Sequence, residues 1–225
     1  MVEQNISSHQ SLVKLADIAV TTLDKERKTL LQVPSLIINA GERVVLTGDS
    51  GSGKSLMLSL LAGTTSPALG VTGAITRTYN CCGFIPQRGI EALHPLNKIT
   101  RQLQQVTGQP KNRVEETLRA VGLDPHHVGR RRPAEISGGQ AQRVAIALAV
   151  LADAQLIVAD EPTSALDHET RDQTLDLLLS VISSQQTLVL TTHDPEVAQR
   201  VDGRRIEVHR GVMTSMTAET GGIAA

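Results

Sequence analysis

An eight-residue stretch, Gly48-Asp49-Ser50-Gly51-Ser52-Gly53-Lys54-Ser55, follows the apolar run Val44-Val45-Leu46 and precedes the helical run 56–62. The G-x-x-x-x-G-K-S spacing suits a phosphate. Glycines let the backbone curl until successive N–H groups point inward, and the positive end of the following helix faces the same anion. Lys54 adds a full positive charge for the β- and γ-phosphates of a nucleotide. Ser55 offers a hydroxyl oxygen to Mg²⁺, a hard cation that prefers oxygen ligands and retains several waters. A glycine-rich structural turn is the competing reading, and the strand-then-helix setting argues against it.

Two more apolar runs end in residues that could do chemistry. Leu156-Ile157-Val158-Ala159 ends in Asp160-Glu161, and residues 187–191 end in Thr192-His193. In an open parallel sheet, ligands sit beyond the carboxyl ends of the strands, so three such ends converge on one place. Asp160 is suited to hold a Mg²⁺-bound water and Glu161 to orient an attacking water. His193 is suited to meet a γ-phosphate. An acid pair can instead cap a loop, and a lone histidine can be ordinary; the upstream phosphate loop favours the chemical readings.

The second glycine-rich element is Ile136-Ser137-Gly138-Gly139-Gln140, at the start of a largely apolar helix. Such an end binds anions through its unpaired N–H groups and dipole. One nucleotide cannot obviously reach both elements in one domain, because an inserted helical region separates them; dimerisation resolves this.

The elements that must carry these residues are legible from periodicity. Strands are expected at 12–20 and 29–38, divided by the charged turn Asp24-Lys25-Glu26-Arg27-Lys28, as an antiparallel edge leading into the strand before Gly48. Further strands are expected at 71–78 and 83–86, ending at Gln87. From 96 to 152 the pattern is helical, with Val114, Leu118 and Val121 on one face and Gly122 and Pro125 as stops. The last third alternates strand and helix, as parallel crossovers require. Leu175, Leu178, Leu179 and Ile182 make the apolar stripe of a helix that Asp167 caps. A closing hairpin is expected at 204–209 and 212–217 about Arg210-Gly211. Residues 1–11 read as a polar, loose start and 218–225 as a tail.

The expected fold class is therefore α/β: a nucleotide-binding parallel sheet with an antiparallel β edge and an inserted α-helical subdomain. All 225 residues form one domain, with a core at 12–95 and 153–217 and a helical part at 96–152. A net charge of -1 gives no basic footprint for nucleic acid, and aromatics at 1% leave no platform for stacking bases. The longest apolar run, 144–152, falls far short of the ~20 residues of a spanning helix. No secretory signal opens the chain, so a cytosolic location is expected. Adjacent Cys81 and Cys82 rarely bridge each other, and they read as buried small residues. Arg130-Arg131-Arg132 reads as a solvated face, with contact to anionic lipid or to a membrane partner as alternatives.

Gly48 to Ser55, Gln87, Ser137-Gly138-Gly139-Gln140, Asp160 to Asp167 and Thr192-His193-Asp194 stand in the order and spacing of the ATP-binding cassette ATPases, which this chain resembles over roughly 12–217. The resemblance implies an ATPase using ATP and Mg²⁺. It implies a head-to-tail dimer with an identical or paralogous subunit. In that dimer each ATP lies between the phosphate loop of one protomer and the Ser137 to Gln140 signature of the other. Glu161 is then the catalytic base, and Gln87 a Mg²⁺ and water ligand coupled to the membrane subunits. Asp167 makes a cross-dimer contact, and His193 senses the γ-phosphate. The implied setting is peripheral, on the cytoplasmic face of the cell membrane, with permease subunits and, indirectly, an extracytoplasmic substrate-binding protein as partners.

Ala92-Leu93-His94-Pro95-Leu96 and Pro133-Ala134-Glu135-Ile136 resemble stretches of peptide and nickel importer ATPases. Ser164-Ala165-Leu166-Asp167 differs from the Gly-Asn-Leu-Asp usual in lipoprotein-release and macrolide-export members. An importer of peptides, nickel or a metal chelate is the reading these marks favour. A soluble cassette acting on DNA or ribosomes is the alternative, disfavoured because too few residues separate Lys54 from Ser137 for a long coiled coil. A non-hydrolysing regulator is disfavoured by the presence of Lys54, Gln87, Glu161 and His193. The C-terminal extension of many peptide importers is missing. So is the aromatic that stacks on adenine, which should fall near Thr22.

Overall fold

In the computed structural model, which describes residues 10–215, alternation within three short strands divides the interior into two cores. These strands are β3 (Arg43–Thr47), β6 (Leu156–Asp160) and β7 (Thr187–Thr191). Val45, Ile157, Ala159, Leu188 and Leu190 face one core, while Val44, Leu46, Leu156, Val158 and Val189 face the other. A strand turns successive side chains to opposite faces, so a run apolar throughout, as these are, is one covered on both sides.

The remaining elements follow from that demand for cover. Before β3 come the long strands β1 (Ser11–Thr22) and β2 (Thr29–Asn39); after it come α1 (Lys54–Ala62), β4 (Leu69–Arg77) and β5 (Cys82–Ile85). The helical stretch holds α2 (Ile99–Thr107), α3 (Lys111–Ala120), the single turn α4 (Pro125–Val128) and α5 (Gly138–Leu151). Then α6 (His168–Val181) and α7 (Pro195–Val201) flank β7, and β8 (Arg204–His209) and β9 (Val212–Ser215) close the chain. Helix α1 buries Met57, Leu58, Leu60 and Leu61 in one core. The other core receives α5 together with Val114, Leu118 and Val121, the face expected for α3. Leu175 and Leu178 of α6 and Ile182 at its C-cap are buried as expected, and Leu179 is half-buried.

Among the described residues nine strands form one sheet in the order β4-β1-β2-β9-β8-β3-β7-β6-β5. From β8 to β5 every pairing is parallel, and β1 is antiparallel to both β2 and β4. The antiparallel edge does not lead straight into β3, as the sequence order suggests. The closing hairpin stands between them, with β9 parallel to β2 and β8 parallel to β3. The final two residues of the strand expected at 212–217, the tail at 218–225 and residues 1–9 lie outside the described residues. No helix among the described residues is long and apolar enough to cross a membrane.

The two cysteines are free and half-buried rather than buried. They lie at β5, an edge strand, which has a neighbour on one side only and also leaves Phe84 exposed. Burial first, and the adjacent Cys81 second, push the Cys82 thiol up to about 12 from an ordinary 9.0. With the folded pKa raised above the unfolded one, the stability held by the neutral thiol is present below pH 9 and is lost as pH rises from there toward 12. Cys82 is accordingly expected to resist maleimide at neutral pH in the folded chain and to react on unfolding. Equal labelling rates in the two states would contradict its partial burial.

Candidate active site

The loop 48–53 leaves β3 and turns into α1 through three glycines with positive φ, Gly48 at 142°, Gly51 at 76° and Gly53 at 109°. At Gly48 no side chain fits, because a Cβ would collide with the Val208 carbonyl oxygen of β8. The loop is braced from the same side by the closing hairpin, whose Gly211 N–H donates to the Ser52 carbonyl at 2.9 Å. Asp49, Ser50, Gly51 and Ser55 stand exposed around the rim. Among the described residues, helix α1 has no side-chain cap at its N-terminus and the buried Ser52 hydroxyl has no partner. A concave loop with an uncapped helix end and an orphaned hydroxyl donor fits a phosphate.

Lys54 is 5% exposed, and its Nζ donates to the carbonyls of Gly48 at 2.8 Å and Asp49 at 3.0 Å. The same ammonium lies 3.5 Å from Glu161 Oε1. On its far side, Glu161 Oε2 is 3.1 Å from Nδ1 of His193, which is largely exposed. Phosphate-loop lysine, acid and histidine thus form one row across the carboxyl ends of β3, β6 and β7.

The residue that holds this row is Thr191, which sequence reading passed over as an ordinary strand residue. Registered between Leu46 of β3 and Asp160 of β6, it is fully buried. Its hydroxyl donates to Asp160 Oδ1 at 2.7 Å and accepts from the Glu161 N–H at 2.8 Å. Glu161 has φ 41°, a left-handed backbone that costs a non-glycine residue on the order of 1–2 kcal/mol. That backbone is fixed at both ends, since its carbonyl accepts from Ser164 N and Ser164 Oγ. Beyond His193, Arg171 of α6 donates to Asp194 at 2.6 Å and Glu196 at 2.8 Å, and Asp194 caps α7. The hydrogen bond to Asp172, followed by that to Glu196, raises the Arg171 pKa, and Arg171 lowers that of Asp172.

Ser55, Asp160 and Gln87 offer hydroxyl, carboxylate and amide oxygens, the hard donor set that Mg²⁺ takes. Gln87 is exposed and spends its Nε2 on Ser164 Oγ at 2.9 Å, which leaves its amide oxygen as the atom for a metal or water. The hydrogen bond goes to the segment after Glu161 rather than to Ser55 or Asp160.

The signature is not in this row. Ser137 caps α5 by accepting from Gln140 N, and Gln140 Oε1 accepts from Ser137 N in return. Ser137 and Gly138 line a groove with Gln87, Gly89, Ile90, Gln142 and Leu166, and Leu166 also borders the pocket of Glu161 and His193. A Cβ on Gly138 would have nothing within 4 Å, and one on Gly139 would meet only Thr170 at 3.6 Å. Among the described residues, packing therefore gives no reason for either glycine to be bare. Asp167 caps α6, accepting from Thr170 N at 3.0 Å. In the arginine triplet, Arg130 and Arg132 are exposed, whereas Arg131 is half-buried and donates to the Glu135 carbonyl. The solvated reading fits the outer two.

A family profile described as "ABC transporter" matches residues 31–164, and the chain belongs to that family. The chain is similar to the ABC transporter ATP-binding protein YtrE of Bacillus subtilis, at 35% identity over 82% of this chain and 87% of that one. It is also similar to the macrolide export ATP-binding/permease protein MacB of Bartonella henselae, at 35% identity over 81% of this chain and 30% of that one. Across such export proteins it spans only 29% to 35% of their length. Among solved structures, a dimeric post-hydrolysis state of the ATP-binding cassette MJ0796 with ADP and Pi superposes with a TM-score of 0.76. The identity is 28%, covering 92% of this chain and 99% of that one. The domain is thus an ATP-binding cassette ATPase, whose substrate is ATP and whose usual metal is Mg²⁺.

Proposed function

We propose that this chain is the ATP-hydrolysing subunit of a membrane transporter, working as a head-to-tail pair in which each ATP is held by Lys54 of one protomer and the Ser137 to Gln140 turn of the other. The observation that carries the pairing is the exposed Gly138 on a capped helix end, where no described residue lies within 4 Å of a Cβ and whose groove is not lined by Lys54, Glu161 or His193. MJ0796 is dimeric in solved structures, in keeping with this arrangement. Within one site, Lys54 and the loop N–H groups hold the phosphates, Glu161 accepts a proton from the attacking water, and His193 contacts the γ-phosphate. Mg²⁺, held by Ser55, Asp160 and Gln87, would neutralise charge on the β- and γ-phosphate oxygens. Closure is bought by ATP bridging two chains, and loss of the γ-phosphate releases it.

For the direction of transport, the relatives named for export favour an export-type system over the importer suggested by two short stretches. Those stretches do local work. Pro133-Ala134-Glu135 is a 3-10 turn whose Glu135 carboxylate accepts from Arg132 N, and His94 takes its place through Gln102 and Leu96 N. The importer of peptides, nickel or a metal chelate remains the second reading, on the Ser164-Ala165-Leu166-Asp167 segment. Nothing in the comparisons supports a soluble cassette acting on DNA or ribosomes. Reconstitution of the chain with candidate permease subunits in vesicles tests the reading. ATP turnover should rise with the permease, and vesicles should move cargo outward. A chain that hydrolyses ATP but neither binds nor responds to any such permease would reject a transport role.

Base recognition should be weak. At Thr22, the end of β1, the hydroxyl donates to Asp24 and the neighbouring Leu23 is exposed. The two aromatic residues stand elsewhere, Tyr79 tied to the Leu61 carbonyl of α1 and Phe84 on the far edge strand. An aromatic stack is worth ~0.5–1.5 kcal/mol beyond area burial. ATP and GTP are expected to have kcat/KM values within about tenfold of each other. A larger preference for ATP would mean that another group reads the base.

A further inference from the structure

The segment that carries Gln87 is hydrogen-bonded to the signature helix through the side chain of Gln142. Gln142, on the first turns of α5, is 2% exposed. Its Oε1 accepts from Gly89 N at 2.6 Å, and its Nε2 donates to the Pro86 carbonyl at 3.1 Å. The amide therefore grips the main chain on both sides of Gln87. The contact is close enough that only glycine fits at position 89. A Cβ there would collide with the Ala141 carbonyl oxygen and come within 2.5 Å of the Gln142 Cα. Both hydrogen bonds are buried, and each polar atom of the Gln142 amide is used.

We infer that Gln142 is a positioning residue for hydrolysis, a latch that fixes the backbone around Gln87 to the helix whose first turn is the Ser137 to Gln140 signature. Gln142 stands five residues from Ser137 on a continuous helix, so a displacement of that turn is passed to Gln87 through two short bonds rather than through a flexible loop. A signature pulled into place by an ATP on the partner chain then sets Gln87 in the site of its own chain. Misplacing a positioning group by about 1 Å can cost on the order of 10²-fold in rate. This inference rests on the reading that Gln87 acts in ATP hydrolysis.

The test is a double-mutant cycle with a separate readout of the latch. Gln142→Leu keeps the volume and loses both bonds; Gln142→Glu keeps the acceptor for Gly89 N and loses the donor to Pro86. In otherwise wild-type chain, Gln142→Leu is expected to lower kcat by about 10- to 100-fold with KM for ATP changed less than about threefold, and Gln142→Glu by less. In a Gln87→Ala background, adding Gln142→Leu should cost less than about twofold more, because the residue it positions is gone. An equal loss in both backgrounds overturns the inference and marks Gln142 as a general support. Unchanged kcat overturns it too. Hydrogen exchange over residues 86–90 reads the latch without hydrolysis and is expected to speed up about tenfold or more in Gln142→Leu. No change there overturns the latch. A wild-type chain that shows the protection but no ATP turnover refutes the proposed function instead.

Discussion

Replacing Glu161 by glutamine is expected to slow ATP hydrolysis at least ~10²-fold, the lower range for loss of a general base, while nucleotide binding is kept or tightened. The two halves of this expectation come from one geometry. Glu161 is held by its main chain, through Thr191 and Ser164, so the substitution leaves the side chain in place and removes only its charge and proton affinity. That charge faces Lys54 at 3.5 Å, an attraction on the order of 4 kcal/mol at an effective dielectric near 20. A γ-phosphate must compete with the carboxylate for the same ammonium, and a neutral amide competes less. Single-turnover hydrolysis and equilibrium binding of a fluorescent ATP analogue separate the effects. Hydrolysis within about threefold of wild type would take Glu161 out of the role and move attention to His193, 3.1 Å away.

What could be read in the sequence is what short-range pattern encodes. Runs such as Leu156 to Ala159 must be buried on both faces, so the polar residues that end them converge at one edge of a parallel sheet, and Lys54, Glu161 and His193 do meet there. Helix faces followed from spacing for the same reason. Pairings between distant segments carry no such local mark. Nothing around Arg204 announces that β8 and β9 pass between β2 and β3, yet that crossing puts Val208 and Gly211 against the phosphate loop. Thr191 and Gln142 escaped notice because a threonine in a strand and a glutamine in a helix are ordinary until their partners are known. Gly89 was the available clue, a glycine soon after Gln87 with no turn signal beside it. Half-burial of Cys81 and Cys82 depends on β5 being an edge, a property of strand order and not of the residues.

The second large effect concerns the dimer. Gly138→Arg is expected to leave the fold and ATP binding of the single chain intact and to abolish ATP-dependent pairing. Among the described residues nothing lies within 4 Å of a Cβ at this exposed position, so the new side chain can leave the backbone without a clash. Arginine regains part of the ~1 kcal/mol that glycine costs a helix, against ~0.3–1 kcal/mol for a cation near the positive end of α5. The protomer should therefore unfold at nearly the wild-type temperature. Lys54 and the loop that binds ATP are untouched. In the proposed head-to-tail pair, however, the arginine would lie where the partner's nucleotide approaches the N–H groups of the first turn. Its bulk holds the two surfaces apart and leaves Ser137 unable to reach the phosphate. Size-exclusion chromatography with Mg²⁺ and ATP, in the Glu161→Gln background that prevents turnover, reads the outcome. The parent should elute as a dimer and the Gly138→Arg variant as a monomer, with dimer affinity lower by at least ~10²-fold, the scale for an unpaired charge forced into an interface. A variant that pairs as well as its parent would show that the bare helix end faces solvent in the dimer, and the ATP would then have to be completed from elsewhere in the partner.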